Sequence, residues 1–179
     1  MCGIVGYIGS GDARDVILSG LKRLEYRGYD SSGIALKNNN DFSIFKDKGR
    51  IDHLYEITDF SFKTNMGIGH TRWATHGAVN YDNSHPHISN NKRFILVHNG
   101  VIENYKKIKY DYLADYDFYS QTDSEVIVNL IEFYSKKMCT ESAIRKAMSK
   151  LEGSYALLIL DKENPETIYC VKNKTPLRR

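Results

Sequence analysis

The residue best suited to carry out chemistry is Cys2, which directly follows the initiator Met1. A small side chain at the second position permits removal of the methionine, and Cys2 would then become the N-terminal residue. A free α-amine has an ordinary pKa of about 7.7 to 8.0, so it could accept the proton of the thiol. Cys2 is therefore a candidate nucleophile that carries its own general base, although its position also fits an incidental thiol at the start of a strand.

Four residues farther along the chain could complete a site around this thiol. Arg72 can bind a carboxylate bidentately, and Asp123 can bind an ammonium group. The Asn99 side chain and the Gly100 backbone N–H are donors of the kind that stabilises a tetrahedral oxyanion. This set suits an amino acid that carries a carboxamide, and the predicted reaction is hydrolysis of that amide through a thioester. Taken one at a time, each residue also has a structural explanation. Arg72 could be a surface charge, Asp123 an acid at a helix N-terminus, and Asn99-Gly100 a turn between strands.

Other kinds of site find less support. His76 could form a dyad with the cysteine, but a histidine in a glycine-flanked loop is more often structural, and the α-amine already supplies a base. His85 and His87 lack a third ligand at a recognised zinc spacing, so we predict no metal. We expect no cofactor either, because the sequence contains neither a P-loop nor a GxGxxG motif.

Composition predicts one globular domain without a nucleic-acid or membrane partner. The chain has 179 residues, 41% of them hydrophobic, and a net charge of +3. Its basic clusters, such as Lys106-Lys107, are interrupted by aromatic and acidic residues. No apolar run approaches the roughly 18 residues of a membrane-spanning helix. The three cysteines, one necessarily unpaired, favour a reducing cytoplasm.

The elements that would position the candidate residues follow from hydrophobic periodicity. Asp12 is predicted to cap a first helix, Ser124 to cap a second, and Thr140 to begin a third that ends at Gly153. A short helix is expected over residues 51–57. Strands are predicted over residues 3–8, 32–36, 42–45, 66–71, 94–98, 155–160 and 167–171. The resulting class is α+β, with the candidate residues where strands give way to loops or helices.

Three motifs together resemble a known family, the class II glutamine amidotransferases of the N-terminal-nucleophile (Ntn) hydrolase superfamily. They are CGIVG at 2–6, RLEYRGYDS at 23–31 and HTRWATHG at 70–77, and the resemblance extends over essentially the whole chain. Within the family, the chain looks like the glutaminase domains that serve glucosamine 6-phosphate synthesis. Members that make phosphoribosylamine usually carry His-Arg-Gly-Gln-Asp where this chain reads YRGYD at 26–30.

The resemblance implies a fold and a set of residue roles. The fold is a four-layer αββα sandwich, the Ntn hydrolase fold, with Cys2 at the start of a central strand. Cys2 is implied as the nucleophile, and Asn99 with Gly100 as the oxyanion hole. Arg27 and Trp73 are implied to orient the active-site side and the closing loop. The residues implied to hold glutamine are Arg72, Thr75, His76 and Asp123.

The same resemblance implies partners beyond this domain. The family branch continues into two sugar-isomerase domains that bind fructose 6-phosphate, and the full-length enzyme is expected to be a homodimer. Because the sequence ends at Arg179, we expect residues 1–179 to be an excised glutaminase domain. Two alternatives stay open: the glutaminase domain of another amidotransferase, such as one making phosphoribosylamine, and a catalytically silent glutamine-binding module.

Overall fold

The computed structural model describes residues 2–58, 61, 63–73 and 77–177 of the chain. The strands are β1 (Gly3–Ile8), β2 (Ser31–Asn38), β3 (Asp41–Lys48), β4 (Met66–Arg72), β5 (His87–Ile88), β6 (Phe94–Ile102), β7 (Gly153–Asp161) and β8 (Ile168–Asn173). The helices are α1 (Ala13–Leu24), α2 (Ile51–Ile57), α3 (Tyr105–Tyr112), α4 (Asp123–Ser135) and α5 (Thr140–Met148). A single 3-10 turn, Glu25–Arg27, follows α1.

The strands form two antiparallel sheets that face each other. The first has the order β1-β4-β2-β3 and the second β5-β6-β7-β8. Helices α1 and α2 pack on the outer face of the first sheet, while α3, α4 and α5 cover the second. The order of layers is therefore helix, sheet, sheet, helix, and the predicted α+β four-layer sandwich is confirmed.

Side chains of the central strands point alternately to the two faces of their sheet, so each strand contributes to two cores. In β6, Phe94 and Leu96 join the core beneath the helices, whereas Ile95 and Val97 join the core between the sheets. Strand β7 alternates in the same way, which explains why its apolar residues are consecutive. Full burial of one such side chain contributes about 1.5–3 kcal/mol. The two sheets are thus held face to face by side chains that the strand period dictates.

Glycine in β4 lets α1 lie directly on the first sheet. A Cβ atom at Gly69 would lie 2.6 Å from Cγ2 of Ile17 and 2.9 Å from Cδ1 of Leu21, which is closer than packed carbon atoms approach. Asp12 caps this helix as predicted, because its carboxylate accepts a hydrogen bond from the Arg14 backbone N–H at 3.1 Å. Among the described residues, no helix has the length and apolar character needed to cross a membrane.

Several predicted boundaries were wrong. Strand β6 continues to Ile102, so Asn99 and Gly100 lie within a strand paired with β7 and do not form a turn. Thr122, not Ser124, is the N-cap of α4. Gly153 begins β7, while α5 already ends at Met148. Helix α3 was not predicted, because its sequence is polar and buries only one residue.

Candidate active site

Cys2 lies immediately before β1, where pairing with β4 holds it beside the end of that strand. Gly3 pairs with Thr71, which brings the half-buried Cys2 next to Trp73. The Trp73 backbone N–H donates to Cys2 Sγ at 3.3 Å, and the thiol lies 3.5 Å from the Trp73 carbonyl oxygen. The sulfur position is therefore fixed by backbone atoms of Trp73, the residue that follows β4.

Burial controls the acidity of this thiol. Burial raises the pKa of the Cys2 thiol, and the Trp73 N–H and the positive charge of Arg72 only partly oppose that effect. The net pKa lies above its ordinary value of 9.0. The resting side chain is therefore a protonated thiol at neutral pH, and any nucleophilic role requires a base to remove the proton.

The middle of β6 carries the amide and the glycine that approach Cys2. The Asn99 side-chain Nδ2 donates to the Cys2 carbonyl oxygen at 3.1 Å. Gly100 has φ +134°, and a Cβ atom there would lie 2.0 Å from the Ser154 carbonyl oxygen. Only glycine fits this position, because it tolerates positive φ and needs no space for a side chain. The backbone conformation at Gly100 is thus set by pairing between β6 and β7.

Two oppositely charged residues flank the thiol. Arg72 ends β4, is buried, and donates from Nη1 to the Ala78 carbonyl oxygen at 3.3 Å. Asp123 begins α4, and its Oδ2 accepts a hydrogen bond from the Ile102 N–H at 2.7 Å. This bond ties the helix N-terminus to the end of β6. Burial lowers the pKa of the Arg72 guanidinium, yet an arginine keeps its charge in proteins.

These groups surround a small cavity of about 40 Å³. Its lining residues are Cys2, Arg72, Trp73, His85, His98, Gly100, Thr122, Asp123 and Ser124. A space of this size is polar enough and large enough for water. A larger apolar groove of about 800 Å³ between β1 and β8 contains Cys170 but lacks paired charges. We take the smaller cavity as the candidate site because it combines the thiol of Cys2 with the charges of Arg72 and Asp123.

The structure brings most of the predicted site residues together. Asn99 is not among the lining residues and reaches Cys2 through the carbonyl oxygen of that residue. Arg27 lies in the 3-10 turn, where its guanidinium packs 5.6 Å from the ring centroid of Tyr26, and it does not line the cavity. The Trp73 ring is exposed and meets the Tyr29 ring edge-on at 5.7 Å. Thr75 and His76 lie outside the described residues, and every residue role remains a prediction.

A buried polar cluster beside the cavity was not predicted. The Ser124 hydroxyl lies 3.0 Å from His85 Nε2 and 2.9 Å from His98 Nδ1. Burial lowers the pKa of both rings, that of His85 well below the ordinary value, which favours the neutral form of each. The sequence offered only the spacing of His85 and His87, which was weighed as a metal site. In the described part of the chain, no group of His, Cys, Asp and Glu side chains could hold a metal ion.

Comparison with known proteins bears on the family of this chain. A family model described as "Glutamine amidotransferase domain" matches residues 70–177. The chain is 57% identical over 179 residues to "Glutamine--fructose-6-phosphate aminotransferase [isomerizing]" of Staphylococcus aureus strain Mu50 and 56% identical over 178 residues to that of Shouchella clausii. These alignments cover 99% of this chain and 30% of each relative, so the chain spans under a third of their length.

A solved structure shares the fold. The glutamine phosphoribosylpyrophosphate amidotransferase of B. subtilis superposes with a TM-score of 0.77 at 28% identity, over 90% of this chain and 35% of that one. The two facing sheets with outer helices are therefore the Ntn amidotransferase fold. Since the family model covers more than half of the residues, the chain belongs to the glutamine amidotransferase family.

Proposed function

We propose that this chain hydrolyses L-glutamine to glutamate and ammonia, with Cys2 as the nucleophile after removal of Met1. The observation that carries the proposal is the convergence of a thiol, a cation and a carboxylate on one cavity, from the N-terminus, the end of β4 and the start of α4. The Asn99 amide from β6 completes the set through its bond to the Cys2 carbonyl. Each of these groups matches one functional group of glutamine.

The proposed reaction begins with proton transfer from the thiol to the α-amine of Cys2. The thiolate attacks the carboxamide carbon, and the oxyanion is stabilised by the Asn99 Nδ2 and the Gly100 N–H. The protonated amine then gives its proton to the leaving nitrogen, and ammonia departs from a γ-glutamyl thioester. Water attacks that thioester, which yields glutamate and restores the thiol. A base is needed because burial raises the thiol pKa.

Substrate binding is assigned by charge. Arg72 would pair with the α-carboxylate of glutamine and Asp123 with its α-ammonium group. Thr75 and His76 are proposed as further glutamine contacts, on the resemblance of the HTRWATHG motif alone. Trp73 and Arg27 are proposed to shape the mouth of the site, since the Trp73 ring is exposed beside the cavity.

In the longer proteins, we propose that the ammonia serves synthesis of glucosamine 6-phosphate from fructose 6-phosphate. Support comes from 57% identity to proteins named for fructose-6-phosphate amination, against 28% for the phosphoribosylpyrophosphate enzyme. Fructose 6-phosphate would bind outside residues 1–179, so this chain alone should release free ammonia and make no aminosugar. The homodimeric state and the cytoplasmic location remain predictions. A silent glutamine-binding module is disfavoured, because such a module would not need the thiol.

The test is an ammonia-release assay combined with intact-mass measurement, before and after treatment with 6-diazo-5-oxo-norleucine. We expect loss of Met1, glutamine-dependent ammonia release, and a single adduct on Cys2 that abolishes the activity. Cys139 and Cys170 are both exposed and provide internal controls, because a glutamine analogue should leave them unmodified. Retained Met1 in an active protein, or activity that survives in a Cys2→Ala variant, would remove the mechanism.

A further inference from the structure

The imidazole of His70 occupies the space between the two sheets, directly behind the Asn99 amide. His70 lies in β4, is fully buried, and directs Nε2 toward the second sheet. This nitrogen lies 3.0 Å from the His98 carbonyl oxygen and 3.1 Å from Asn99 Oδ1. One ring atom of the first sheet therefore contacts both the backbone and the side chain of β6, next to the proposed oxyanion donor.

The chemistry of these contacts fixes the orientation of the amide. The His98 carbonyl oxygen can only accept a hydrogen bond, so His70 Nε2 must carry the hydrogen. The Asn99 atom that shares this hydrogen must then be the oxygen, which directs Nδ2 to the opposite side, toward Cys2. This assignment follows from the backbone carbonyl alone and does not depend on distinguishing oxygen from nitrogen in the amide.

Two further features hold the ring in this state. Burial lowers the pKa of His70 to about 3, so the imidazole is neutral at any working pH and Nδ1 carries no proton. The ring also stacks on His85 with centroids 4.0 Å apart, and His85 is held by the Ser124 hydroxyl at the start of α4. Both the tautomer and the plane of the ring are thus determined by its surroundings.

We propose that His70 is a positioning residue for glutamine hydrolysis: its Nε2–H holds the Asn99 amide with Nδ2 facing Cys2, so that the oxyanion donor is oriented before substrate binds. This inference rests on the proposed function. An amide nitrogen has two hydrogens, and the Cys2 carbonyl uses one of them. The second remains available to an oxyanion. Without the imidazole, only the bond to the Cys2 carbonyl would orient the amide, and Nδ2 would be held less firmly.

Substitutions at His70 distinguish the effect of the N–H donor from the effect of the aromatic ring. His70→Gln places an amide N–H near the position of Nε2, whereas His70→Asn is too short to reach Asn99 and His70→Phe keeps the ring without the donor. Since removal of one oxyanion donor costs about 100- to 1,000-fold in kcat, we expect the Phe and Asn variants to lose about 100-fold with little change in KM. His70→Gln should recover most of the activity.

Alkylation of Cys2 by iodoacetamide provides a readout that a general structural defect would change. This displacement forms no oxyanion, so its rate should be unchanged in folded His70 variants. Thr140→Val is the control, because Thr140 is a buried polar residue whose hydroxyl bonds Arg93 and Asp161, outside the lining of the candidate site. It should lower stability without the kcat loss. If His70→Phe does not fold, the comparison of His70→Asn with His70→Gln decides, and equal kcat values would overturn the proposal.

Asn99→Ala distinguishes failure of this inference from failure of the proposed function. If Asn99→Ala keeps full activity, the oxyanion assignment is wrong and the positioning role falls with it. If Asn99→Ala is slow while His70→Phe matches the wild type, only the positioning role is wrong. The double variant should be no slower than Asn99→Ala alone, because both changes remove one interaction. Independent, multiplying losses would show that His70 does not act through Asn99.

Discussion

Replacing Gly100 with alanine should damage both the stability of the fold and the chemistry of the site. Gly100 lies in β6 opposite Tyr155, with φ +134°. The new Cβ atom would lie 2.0 Å from the Ser154 carbonyl oxygen, where real contacts essentially never fall below 3.0 Å. Strand β6 must therefore separate from β7 by about 1 Å at this point, the difference between those two distances.

The expected magnitude combines backbone strain with the steric clash. A non-glycine residue at positive φ costs about 1–3 kcal/mol, and a forced shift in a packed region costs about 1–3 kcal/mol more. Gly49→Ala is a matched control, because Gly49 also has a positive φ of +101° but has no atom within 4 Å of its added Cβ. That variant should show the strain alone, about 1–3 kcal/mol.

Urea unfolding and glutamine hydrolysis measure the two consequences. We expect Gly100→Ala to lower the free energy of unfolding by about 2–6 kcal/mol, clearly more than Gly49→Ala does. A displacement of 1 Å at a reacting centre can cost about 100-fold in rate, so kcat should fall by at least that factor in Gly100→Ala and stay near wild type in Gly49→Ala. Equal unfolding midpoints for the two variants, or a fully active Gly100→Ala protein, would refute the steric reasoning.

Three further outcomes are expected. Cys2→Ala should abolish ammonia release while leaving the urea midpoint nearly unchanged, because the side chain is small and half-buried. Asp123→Asn should raise KM for glutamine by about 10-fold or more, because the proposed partner of the ammonium group loses its charge. The Asn side-chain oxygen can still accept the hydrogen bond from the Ile102 N–H, so the fold should be kept. An unchanged KM would exclude Asp123 as the ammonium site. The free energy of unfolding should fall as pH drops below about 6.5. The imidazoles bind protons in the unfolded chain at that pH but not in the folded protein, where burial lowers their pKa. Each imidazole contributes up to about 1.4 kcal/mol per pH unit. A urea midpoint constant between pH 7 and pH 5 would contradict the neutral state of these rings, which are His70, His85, His87 and His98.

The layers of the fold were predictable from local patterns, while some strand ends were not. The run of apolar residues in β7 indicated burial on both faces, and α2 matched its predicted range. The Asn99-Gly100 pair has the composition of a hairpin turn, yet it lies inside a strand. Its conformation is decided by pairing of Asn99 with Ala156 and of Gly100 with Tyr155, residues more than 50 positions away in the sequence. Local turn chemistry carries no information about such a partner.

The site was predictable as a set of chemical groups and not as a geometry. Cys2, Arg72 and Asp123 each stood out by type and position. Their proximity depends on the Gly3–Thr71 pairing in one sheet and on the bond from Asp123 to Ile102 at the end of β6. The histidine cluster was missed because its members come from separate segments that meet only when the two sheets face each other. Periodicity within one segment cannot reveal a contact of that kind.

The energetics of this cluster argue that it serves the site more than the fold. Apolar side chains fill the rest of the space between the sheets, whereas here four imidazoles are buried together. Within the described residues, His70 Nδ1, His85 Nδ1 and His98 Nε2 have no hydrogen-bond partner. Burying a polar atom without a partner costs about 1–3 kcal/mol, so hydrophobic residues would give a more stable sandwich. Such departures from good packing are expected where function requires them. Their position behind Asn99 and Cys2 fits the positioning role proposed for His70, whose Nε2 contacts the Asn99 amide.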